Sequence, residues 1–379
     1  MRKLQDIKNL KGRTALVRVD FNVPVGKDGI VDASEDWRIS KSLETIRHLQ
    51  KEGAKTILIS HIGRDKRESL KPVADYLKKF VEVKFIPTLD ADDVTGIVAN
   101  MTEGEVILLE NLRQNSGEEK NDPKFAEWLG SLADLYVNEA FAVSHRPHAS
   151  IVGVPFYLQA YAGFWLQKEI ENLGKVMLSP ERPFLFILGG AKFETKIPLL
   201  KKFEHIADDI LVGGALANNF FKVIGFNVGK SLIDKDAEVI EFFNKEHVKI
   251  PFDVLVKDGP KDLANISKDD VIVDLGPNTL TEWKNSVMNA KTILWNGPLG
   301  LYEEGFDVGS KELLTTIANS GAFSVIGGGD TIKLVESMLL TDKISFISTG
   351  GGAMLEYLSK GTLPGISVLN AQTESLSTK

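Results

Sequence analysis

Side chains that could bind ligands or take part in catalysis follow the apolar runs of this chain, and the residue types that do so differ between its first and second halves. In the first half, apolar runs lead into segments rich in Arg, His and Asn, at residues 20–22, 61–64, 110–113 and 138–146. In the second half they lead into glycine-rich turns, most of them with Lys, Asn or Asp, at residues 189–192, 296–298, 327–330 and 348–352. This division predicts one domain that holds an anionic substrate and a second domain that holds a nucleotide.

The first-half cluster consists of cationic and imidazole side chains on or just after predicted strands. Its members are Arg18, Arg38, Arg64, Arg113, Arg146, His61, His145 and His148. Arginine grips phosphate and carboxylate groups in a bidentate manner, so several converging arginines predict a small, multiply charged ligand. Any one of them alone is equally compatible with an ordinary surface arginine. His145 and His148 have the spacing of metal ligands, but no third ligand is evident nearby, so hydrogen-bonding roles are favoured.

The second-half turns place glycines between a strand and a helix, where backbone N–H groups can approach phosphate oxygens. One such turn is ordinary turn chemistry, whereas four in one half favour phosphate binding. Neither a Walker motif nor a complete G-x-G-x-x-G follows any strand, which weakens both of those interpretations.

Lys192 and Lys196 lie four residues apart, so on a helix they would share a face that could contact a phosphate chain. Taken alone, surface lysines at this spacing are commonplace. Asp330 follows three glycines and is a candidate outer ligand for Mg²⁺, which prefers carboxylate, phosphate and water oxygens. An N-cap is the alternative for Asp330, and both roles can hold.

A nucleophile with its base and orienting group is not evident in the sequence. Phosphoryl transfer between two ionised oxygens needs none, because positive charge, N–H groups and alignment carry the catalysis.

Short runs rich in β-branched residues alternate with helical patterns, which predicts parallel strands with crossover helices and ligand sites at the strands' carboxyl ends. A chain of 379 residues favours about two domains. We predict two doubly wound, Rossmann-like parallel-sheet domains that face each other across a cleft. The predicted segments are a substrate domain at 1–156, an interdomain helix at 157–176, a nucleotide domain at 177–361, and a tail at 362–379 that packs on the first domain. An ordinary amphipathic helix packed on one domain would explain 157–176 equally well.

Composition excludes several function classes. A net charge of −7 argues against general affinity for nucleic acid. No run approaches the roughly 20 apolar residues that span a bilayer, and the first residues lack a signal-peptide core, so we expect a soluble cytoplasmic protein. The absence of cysteine excludes disulfides and thiolate sites. Nothing in the sequence demands an oligomer, and a monomer is expected.

With these motifs in order along nearly the whole chain, the sequence closely resembles the phosphoglycerate kinase family. The matching stretches are residues 18–24, 61–64, 109–113, 145–150, 189–192, 295–298, 327–331 and 348–353. The resemblance implies reversible transfer of the acyl phosphate of 1,3-bisphosphoglycerate to MgADP, giving 3-phosphoglycerate and MgATP in glycolysis, with hinge-type domain closure.

The resemblance also implies roles for individual residues. The triose site would comprise Asp20, Asn22, Arg38, His61, Arg64, Arg113 and Arg146. The nucleotide site would comprise Gly190, Lys192, Lys196, Asn296, Glu303, Gly328, Gly329, Asp330 and Thr331, with Asp330 associated with Mg²⁺. Arg38, Lys192 and Gly351 would flank the transferred group.

Four positions depart from the family's common pattern without removing a charge from the proposed transfer site. They are Asp65, Gln114, Glu139 and Thr195. We expect activity with altered affinity. A dinucleotide-dependent dehydrogenase would share the strand and turn pattern but lacks its fingerprint here. A non-catalytic relative would have lost Arg38 or Lys192, and both are present.

Overall fold

Buried strands alternate with amphipathic helices along the chain. The computed structural model describes residues 1–234, 239–243 and 245–377, without the side chains of Ser34, Phe243 and residues 373–377. These residues form two units: unit 1 is Met1–Ile170 with Thr362–Lys379, and unit 2 is Glu171–Gly361.

Unit 1 is built on a six-stranded sheet. Its strands are β1 Thr14–Arg18, β2 Lys55–Ile59, β3 Lys84–Ile86, β4 Val106–Leu109, β5 Leu135–Asn138 and β6 Ala160–Ala162. Its helices are α1 Trp37–Lys51, α2 Lys71–Leu77, α3 Ala91–Ala99, α4 Pro123–Ser131 and the first part of α5 Phe164–Leu178. The strand order is β3-β4-β2-β1-β5-β6, and every pairing is parallel. All four residues of β4 are buried, as expected for a parallel strand covered on both faces.

Unit 2 contains a second parallel sheet and a smaller antiparallel one. Its strands are β7 Phe184–Leu188, β8 Asp209–Val212, β9 Val248–Lys249, β10 Asp253–Val256, β11 Gly259–Asp262, β12 Ile272–Leu275, β13 Thr292–Asn296, β14 Phe323–Gly327 and β15 Phe346–Ser348. Its helices are the rest of α5, α6 Phe193–Phe203, α7 Gly214–Val223, α8 Ile240–Phe243, α9 Pro277–Asn289, α10 Val308–Ser320, α11 Gly329–Ser337 and α12 Gly352–Lys360. The parallel order is β15-β14-β13-β7-β8-β9.

Two further short apolar runs, at 254–256 and 271–273, fit the sequence pattern predicted for parallel strands, but that prediction is wrong for them. They belong to β10 and β12, which pair antiparallel with each other, while β11 pairs antiparallel with β10. Only Lys257 and Asp258 separate β10 from β11. Two residues can close an antiparallel hairpin, whereas a parallel crossover needs a dozen or more, so the length of this connection requires β11 to run antiparallel to β10.

The helix expected over 157–176 begins later, at Phe164. Tyr161 lies four residues before Trp165, a spacing typical of a helix, but it belongs to β6 and pairs with Val137 of β5. A strand of three residues is too short to show a period of its own, so its apolar residues merged with the helical pattern that follows. The boundary between the two units falls inside α5.

The last helix, α13 Pro364–Ser377, belongs to unit 1. Gly365 N donates to the Ser144 carbonyl at 2.8 Å, and Gln372 Nε2 donates to the Leu158 carbonyl at 2.9 Å. The described residues include no helix with the length and hydropathy needed to cross a membrane.

Candidate functional site

Unit 2 contains a cavity of about 700 Å³ at the carboxyl ends of its parallel strands. The turns after β7, β13 and β14 and the turn leading into α12 contribute to its wall. Its lining includes all the residues predicted for the nucleotide together with Gly351: Gly190, Lys192, Lys196, Asn296, Glu303, Gly328, Gly329, Asp330, Thr331 and Gly351. Ligands of open α/β sheets bind outside the carboxyl ends of the strands, which is where this cavity lies.

The two predicted lysines occupy different environments. Lys192 is exposed and precedes the first turn of α6, whereas Lys196 is only 5% exposed within that helix. Lys196 Nζ donates to the Asn296 side-chain oxygen at the end of β13. Burial, followed by the positive charge of Lys192, lowers the pKa of Lys196 from 10.5 to about 7, while Asp330 opposes the shift. The cavity therefore holds one exposed lysine and one buried lysine whose charged form is disfavoured by desolvation.

Two glycine turns at the cavity approach each other too closely for side chains. Gly190 N donates to the Pro298 carbonyl at 2.7 Å, and Gly189 N donates to the Asn296 carbonyl at 2.9 Å. A Cβ on Gly189 would collide with the Pro298 and Gly297 carbonyl oxygens. Glycine is therefore required at this contact, which brings the loops after β7 and β13 together under the cavity.

Asp330 lies in the first turn of α11, and the predicted N-cap role for it is wrong. The N-cap is Gly328, and no side chain caps the helix. A glycine there adopts the positive φ of 99° without strain and leaves the Asp330 carboxylate free for other partners. Tyr302 Oη donates to Asp330 Oδ1 at 2.6 Å. No group of three or more His, Asp or Glu side chains suited to a metal ion occurs among the described residues.

The remaining cavity residues serve as backbone supports or rim groups. Thr331 is fully buried, and its Oγ1 accepts from Gly297 N at 3.1 Å. Glu303 is exposed in a short 3₁₀ turn, Tyr302–Glu304. Gly351 precedes the first turn of α12 with a φ of 49°, a conformation that favours glycine.

An apolar wall of the cavity was missed by the sequence reasoning. It includes Ala217 and Phe221 of α7, Val254 of β10, and Leu299 and Leu301. A surface of this kind suits the flat, weakly polar ring of a purine base. In the sequence these residues look like ordinary core positions of a helix or strand, so no signal distinguishes them.

In unit 1, an ion pair joins the end of β1 to the start of α1. Arg38 donates to Asp20 Oδ2 and also stacks on Trp37, with 4.6 Å between its guanidinium carbon and the ring centroid. The Asn22 side-chain oxygen accepts from Gly63 N at 2.9 Å, which ties the loop after β1 to the loop after β2. The structure therefore places Asp20, Asn22 and Arg38 around the same strand ends.

His61 is buried among arginines. Arg18 Nη2 lies 3.1 Å from His61 Nδ1. Burial lowers the pKa of His61 well below 6.5, and the positive charges of Arg18, Arg113 and Arg146 lower it further. The imidazole is therefore neutral near pH 7, inside a basin of fixed positive charge.

The other predicted arginines differ in exposure. Arg113 is buried, donates to the Gly63 carbonyl, and has its Nε 3.1 Å from Glu119 Oε1. Arg64 is exposed, and Arg146 is half-buried with its Nε 3.4 Å from His145 Nε2. His148 Nδ1 lies 3.8 Å from Glu118 Oε1.

Three of the four departures make local contacts. Thr195 Oγ1 donates to the Lys192 carbonyl at 2.9 Å, Asp65 accepts from Arg67 Nε at 3.1 Å, and Gln114 Nε2 lies 3.5 Å from the Glu68 carbonyl. These contacts support the loops that carry Lys192, Arg64 and Arg113.

The fourth departure, Glu139, is buried at the end of β5. Its Oε1 accepts from Thr45 Oγ1 at 2.8 Å and from Trp165 N at 3.0 Å, in the first turn of α5. Burial raises the pKa of this carboxyl to about 8. Glu139 therefore holds the beginning of α5 against α1.

Comparison with known proteins gives one consistent family. The family model described as phosphoglycerate kinase matches residues 4–361. The phosphoglycerate kinase of Dictyoglomus turgidum is 43% identical over 385 residues, covering 96% of each chain, and that of Thermosipho africanus is 42% identical over 390 residues, again covering 96% of each. The solved structure of phosphoglycerate kinase from Coxiella burnetii aligns with a TM-score of 0.88 at 34% identity, covering 98% of this chain and 99% of that one. The Pyrococcus horikoshii enzyme aligns with a TM-score of 0.85 at 32% identity, covering 99% and 100%. The chain therefore belongs to the phosphoglycerate kinase family.

Proposed function

We propose that this chain catalyses the phosphoglycerate kinase reaction with a triose site in unit 1 and a nucleotide site in unit 2. The reaction follows from family membership: the acyl phosphate of 1,3-bisphosphoglycerate moves reversibly to ADP, giving 3-phosphoglycerate and ATP in glycolysis. The observation that carries the nucleotide assignment is the convergence of all ten predicted residues on one cavity in unit 2.

In the proposed nucleotide site, the apolar wall binds the base and the glycine turns receive the phosphates. Exposed Glu303 on the rim is placed to accept hydrogen bonds from ribose hydroxyls. Lys196 and the backbone N–H groups of Gly328 and Gly329 hold the phosphate chain at the N-terminus of α11, where the helix dipole favours negative charge. Exposed Lys192 and Gly351 contact the phosphoryl group that moves.

Mg²⁺ is the cofactor that fits this arrangement. Asp330 offers a carboxylate that lines the cavity without serving as a helix cap, and Mg²⁺ characteristically binds one or two carboxylates together with phosphate oxygens and water. Bound there, the ion would neutralise phosphate charge as the group is transferred. Tyr302 Oη, which donates to Asp330 at 2.6 Å, would orient the carboxylate.

In the proposed triose site, fixed cations hold a substrate that carries a phosphate and a carboxylate. Arg64, Arg113 and Arg146 supply bidentate donors for these groups. His61, neutral through burial, adds a directed hydrogen bond without adding a charge. Asp20 and Asn22 orient Arg38 and the loop after β2, and Arg38 contacts the transferring phosphoryl group.

The chemistry requires no side chain to become a nucleophile, because the carboxylate of 3-phosphoglycerate and the β-phosphate of ADP are already ionised. Arg38 and Lys192 would stabilise charge on the phosphoryl oxygens as it develops. We propose that closure of the two units brings donor and acceptor into line and excludes water, which would otherwise hydrolyse the acyl phosphate.

The proposal is tested by assigning each substrate to its own set of residues. Wild-type protein is assayed for ATP formation from 1,3-bisphosphoglycerate and MgADP, with NAD titration as a control for dehydrogenase activity. The variants are assayed in the opposite direction, with MgATP and 3-phosphoglycerate as substrates. Glu303→Ala should raise the KM for ATP and leave that for 3-phosphoglycerate unchanged, whereas Arg113→Ala should raise the KM for 3-phosphoglycerate and leave that for ATP unchanged. Absence of ATP formation, or equal changes in both constants for either variant, would contradict the assignment.

Because nothing in the sequence demands an oligomer, we propose that the active form is a monomer. Its substrates are glycolytic intermediates, which places its proposed site of action in the cytoplasm. Sedimentation velocity at assay concentrations should give a single species of the chain's mass, and cell fractionation should place it in the cytosol. A larger active species or a membrane-bound pool would contradict these two points.

A further inference from the structure

A buried series of hydrogen bonds runs behind His61 and ends on a carboxylate. Arg18 Nη2 lies 3.1 Å from His61 Nδ1, and Arg18 Nε donates to Ser150 Oγ at 2.8 Å. Ser150 Oγ lies 2.6 Å from Glu118 Oε1, and Ser150 N donates to Glu118 Oε2 at 2.9 Å. Arg18 is 1% exposed, and Ser150 and Glu118 are fully buried.

The first contact determines which nitrogen of His61 carries the proton. A guanidinium group has only donors, so Nδ1 must accept the hydrogen bond from Arg18. A neutral imidazole whose Nδ1 accepts has its hydrogen on Nε2. A doubly protonated ring would place an N–H against Arg18, and the neutral state avoids this repulsion.

The other contacts determine the position of Arg18. Its Nη1 donates to the Val19 carbonyl, and its Nε is directed to Ser150. Because the Ser150 hydroxyl accepts from Arg18, its own hydrogen is free to be donated to Glu118. Both carboxyl oxygens of Glu118 accept hydrogen bonds from Ser150, which fixes the position of Ser150 and places a carboxyl group opposite the buried guanidinium. Removing any member would allow Arg18 to turn away from His61.

We propose that Arg18, held by Ser150 and Glu118, is a positioning residue that keeps His61 as the Nε2–H tautomer, so that its ring is a hydrogen-bond donor to the triose substrate. The proposal rests on the assignment of His61 to that site. A phosphate or carboxylate oxygen accepts hydrogen bonds, so the other tautomer would present a lone pair to an anion. A donor of fixed direction gains affinity without placing a further charge among Arg18, Arg113 and Arg146.

The tautomer can be measured in the ligand-free protein by long-range proton–nitrogen NMR of the imidazole rings. The chain has six histidines, and the His61 signals are identified by their loss in His61→Gln. In wild type we expect two widely separated ring-nitrogen shifts, with the protonated type at Nε2, throughout the range in which the ring is neutral. The charged and titratable groups that face the ring are Arg18, Arg113, Arg146 and His148. Of these, only Arg18 is replaced in the variants described below.

Two variants and one control separate positioning from general damage. Arg18→Lys keeps the charge but loses the fork of donors, and Ser150→Ala removes the partner of Arg18 Nε. In each variant the chemical shifts of His61 Nδ1 and Nε2 should become more similar, because the ring would be a mixture of the two tautomers. Each should also raise the KM for 3-phosphoglycerate about tenfold with the KM for ATP unchanged, equivalent to about 1.4 kcal/mol of substrate binding. Tyr136→Phe deletes only a hydrogen bond to the Ser150 carbonyl, 2.7 Å long in wild type, and should leave both measurements unchanged.

Several outcomes would overturn the proposal. A wild-type His61 protonated on Nδ1, or a wild-type mixture, contradicts the tautomer directly. Unchanged nitrogen shifts in folded Arg18→Lys and Ser150→Ala contradict the positioning role, as does an unchanged KM for 3-phosphoglycerate. Loss of triose-dependent activity in wild type itself would refute the proposed function instead, because the NMR measurement needs no substrate.

Discussion

The proposed role of Lys196 in holding the nucleotide phosphates favours its charged form, which the folded protein disfavours. Burial lowers its pKa from 10.5 to about 7. That difference corresponds to roughly 5 kcal/mol acting against the ammonium, at about 1.4 kcal/mol per pKa unit. Nucleotide phosphates in the cavity would supply the negative charge that restores the proton. We therefore predict that nucleotide binding takes up a proton at Lys196.

The size of this uptake follows from the pKa. At pH 8 only about a tenth of Lys196 is charged in the ligand-free protein, so binding should take up close to one proton. At pH 6 the lysine is already charged and should contribute almost none. The Kd for ADP should therefore rise by up to about tenfold per pH unit above pH 7 and level off below it.

Isothermal titration calorimetry in buffers of different ionisation enthalpy measures the number of protons taken up. The matched control is Lys196→Met, which preserves the length and burial of the side chain. Any protons that ADP itself takes up or releases on binding are the same for the variant and the wild type. The difference in uptake between wild type and this variant should be near one at pH 8 and near zero at pH 6. Equal uptake by both proteins at pH 8 would refute the reasoning.

The same shift makes Lys196 destabilising in the ligand-free protein. Its pKa is lower in the folded state than in the unfolded state, so between about pH 7 and 10.5 the unfolded chain binds more protons, and stability rises with pH across that window. Lys196→Met should therefore raise the free energy of unfolding at pH 7 by roughly 3 kcal/mol, after allowance for the lost hydrogen bond to Asn296. A lower melting temperature for the variant at pH 7 would contradict this.

Three further substitutions test other parts of the structure. Arg38→Ala should lower kcat by about 10²-fold or more while the Kd for ADP, measured by calorimetry, stays near wild type, because Arg38 lies in unit 1. Lys192→Ala should raise the activation free energy of phosphoryl transfer by several kcal/mol, measured as a lower kcat in a coupled assay. An unchanged kcat would contradict a role for Lys192 in the transfer step. Burial raises the pKa of Glu139 from 4.5 to about 8 in the folded protein, so between these pH values the folded state binds more protons than the unfolded state. The free energy of unfolding should therefore fall as the pH rises from about 4.5 to 8. Glu139→Gln should reduce the difference in the free energy of unfolding between pH 5 and pH 9, measured by denaturant titration.

The parallel sheets could be predicted because their strands are buried on both faces and appear as short, nearly continuous apolar runs. The apolar runs at 106–109 and 184–188 can be delimited in the sequence by the residues that follow them, and they have the same bounds as β4 and β7. The positions of the ligand-facing loops then follow from the rule that binding occurs at the carboxyl ends of parallel strands. For this reason the turns at 189–192, 296–298 and 327–330, which are far apart in sequence, could be predicted to lie at one site. The roles of single residues within these turns came from the family resemblance.

The antiparallel sheet and the apolar cavity wall could not be predicted in this way. A run such as 254–256 has the same composition whether its neighbour is parallel or antiparallel, and only the two-residue connection to β11 distinguishes the cases. Phe221 and Val254 line the cavity with side chains that would serve equally well in a core. A hydrophobic residue indicates that its side chain is buried, but it does not indicate whether that side chain contacts protein or ligand.

The two cavity lysines show how a residue assignment made from the sequence can miss the difference between two local environments. Spacing of four residues predicts that Lys192 and Lys196 share a helical face, but α6 begins only at Phe193, so Lys192 precedes the helix and remains exposed. Lys196, one turn further on, is carried beneath the loop after β13 and donates to Asn296. An exposed ammonium can follow a phosphoryl group as it moves, whereas a buried one held by Asn296 can only anchor a group that stays in place. The backbone position at which the helix begins therefore separates the two proposed roles, with Lys192 acting on the transferred phosphate and Lys196 holding the nucleotide.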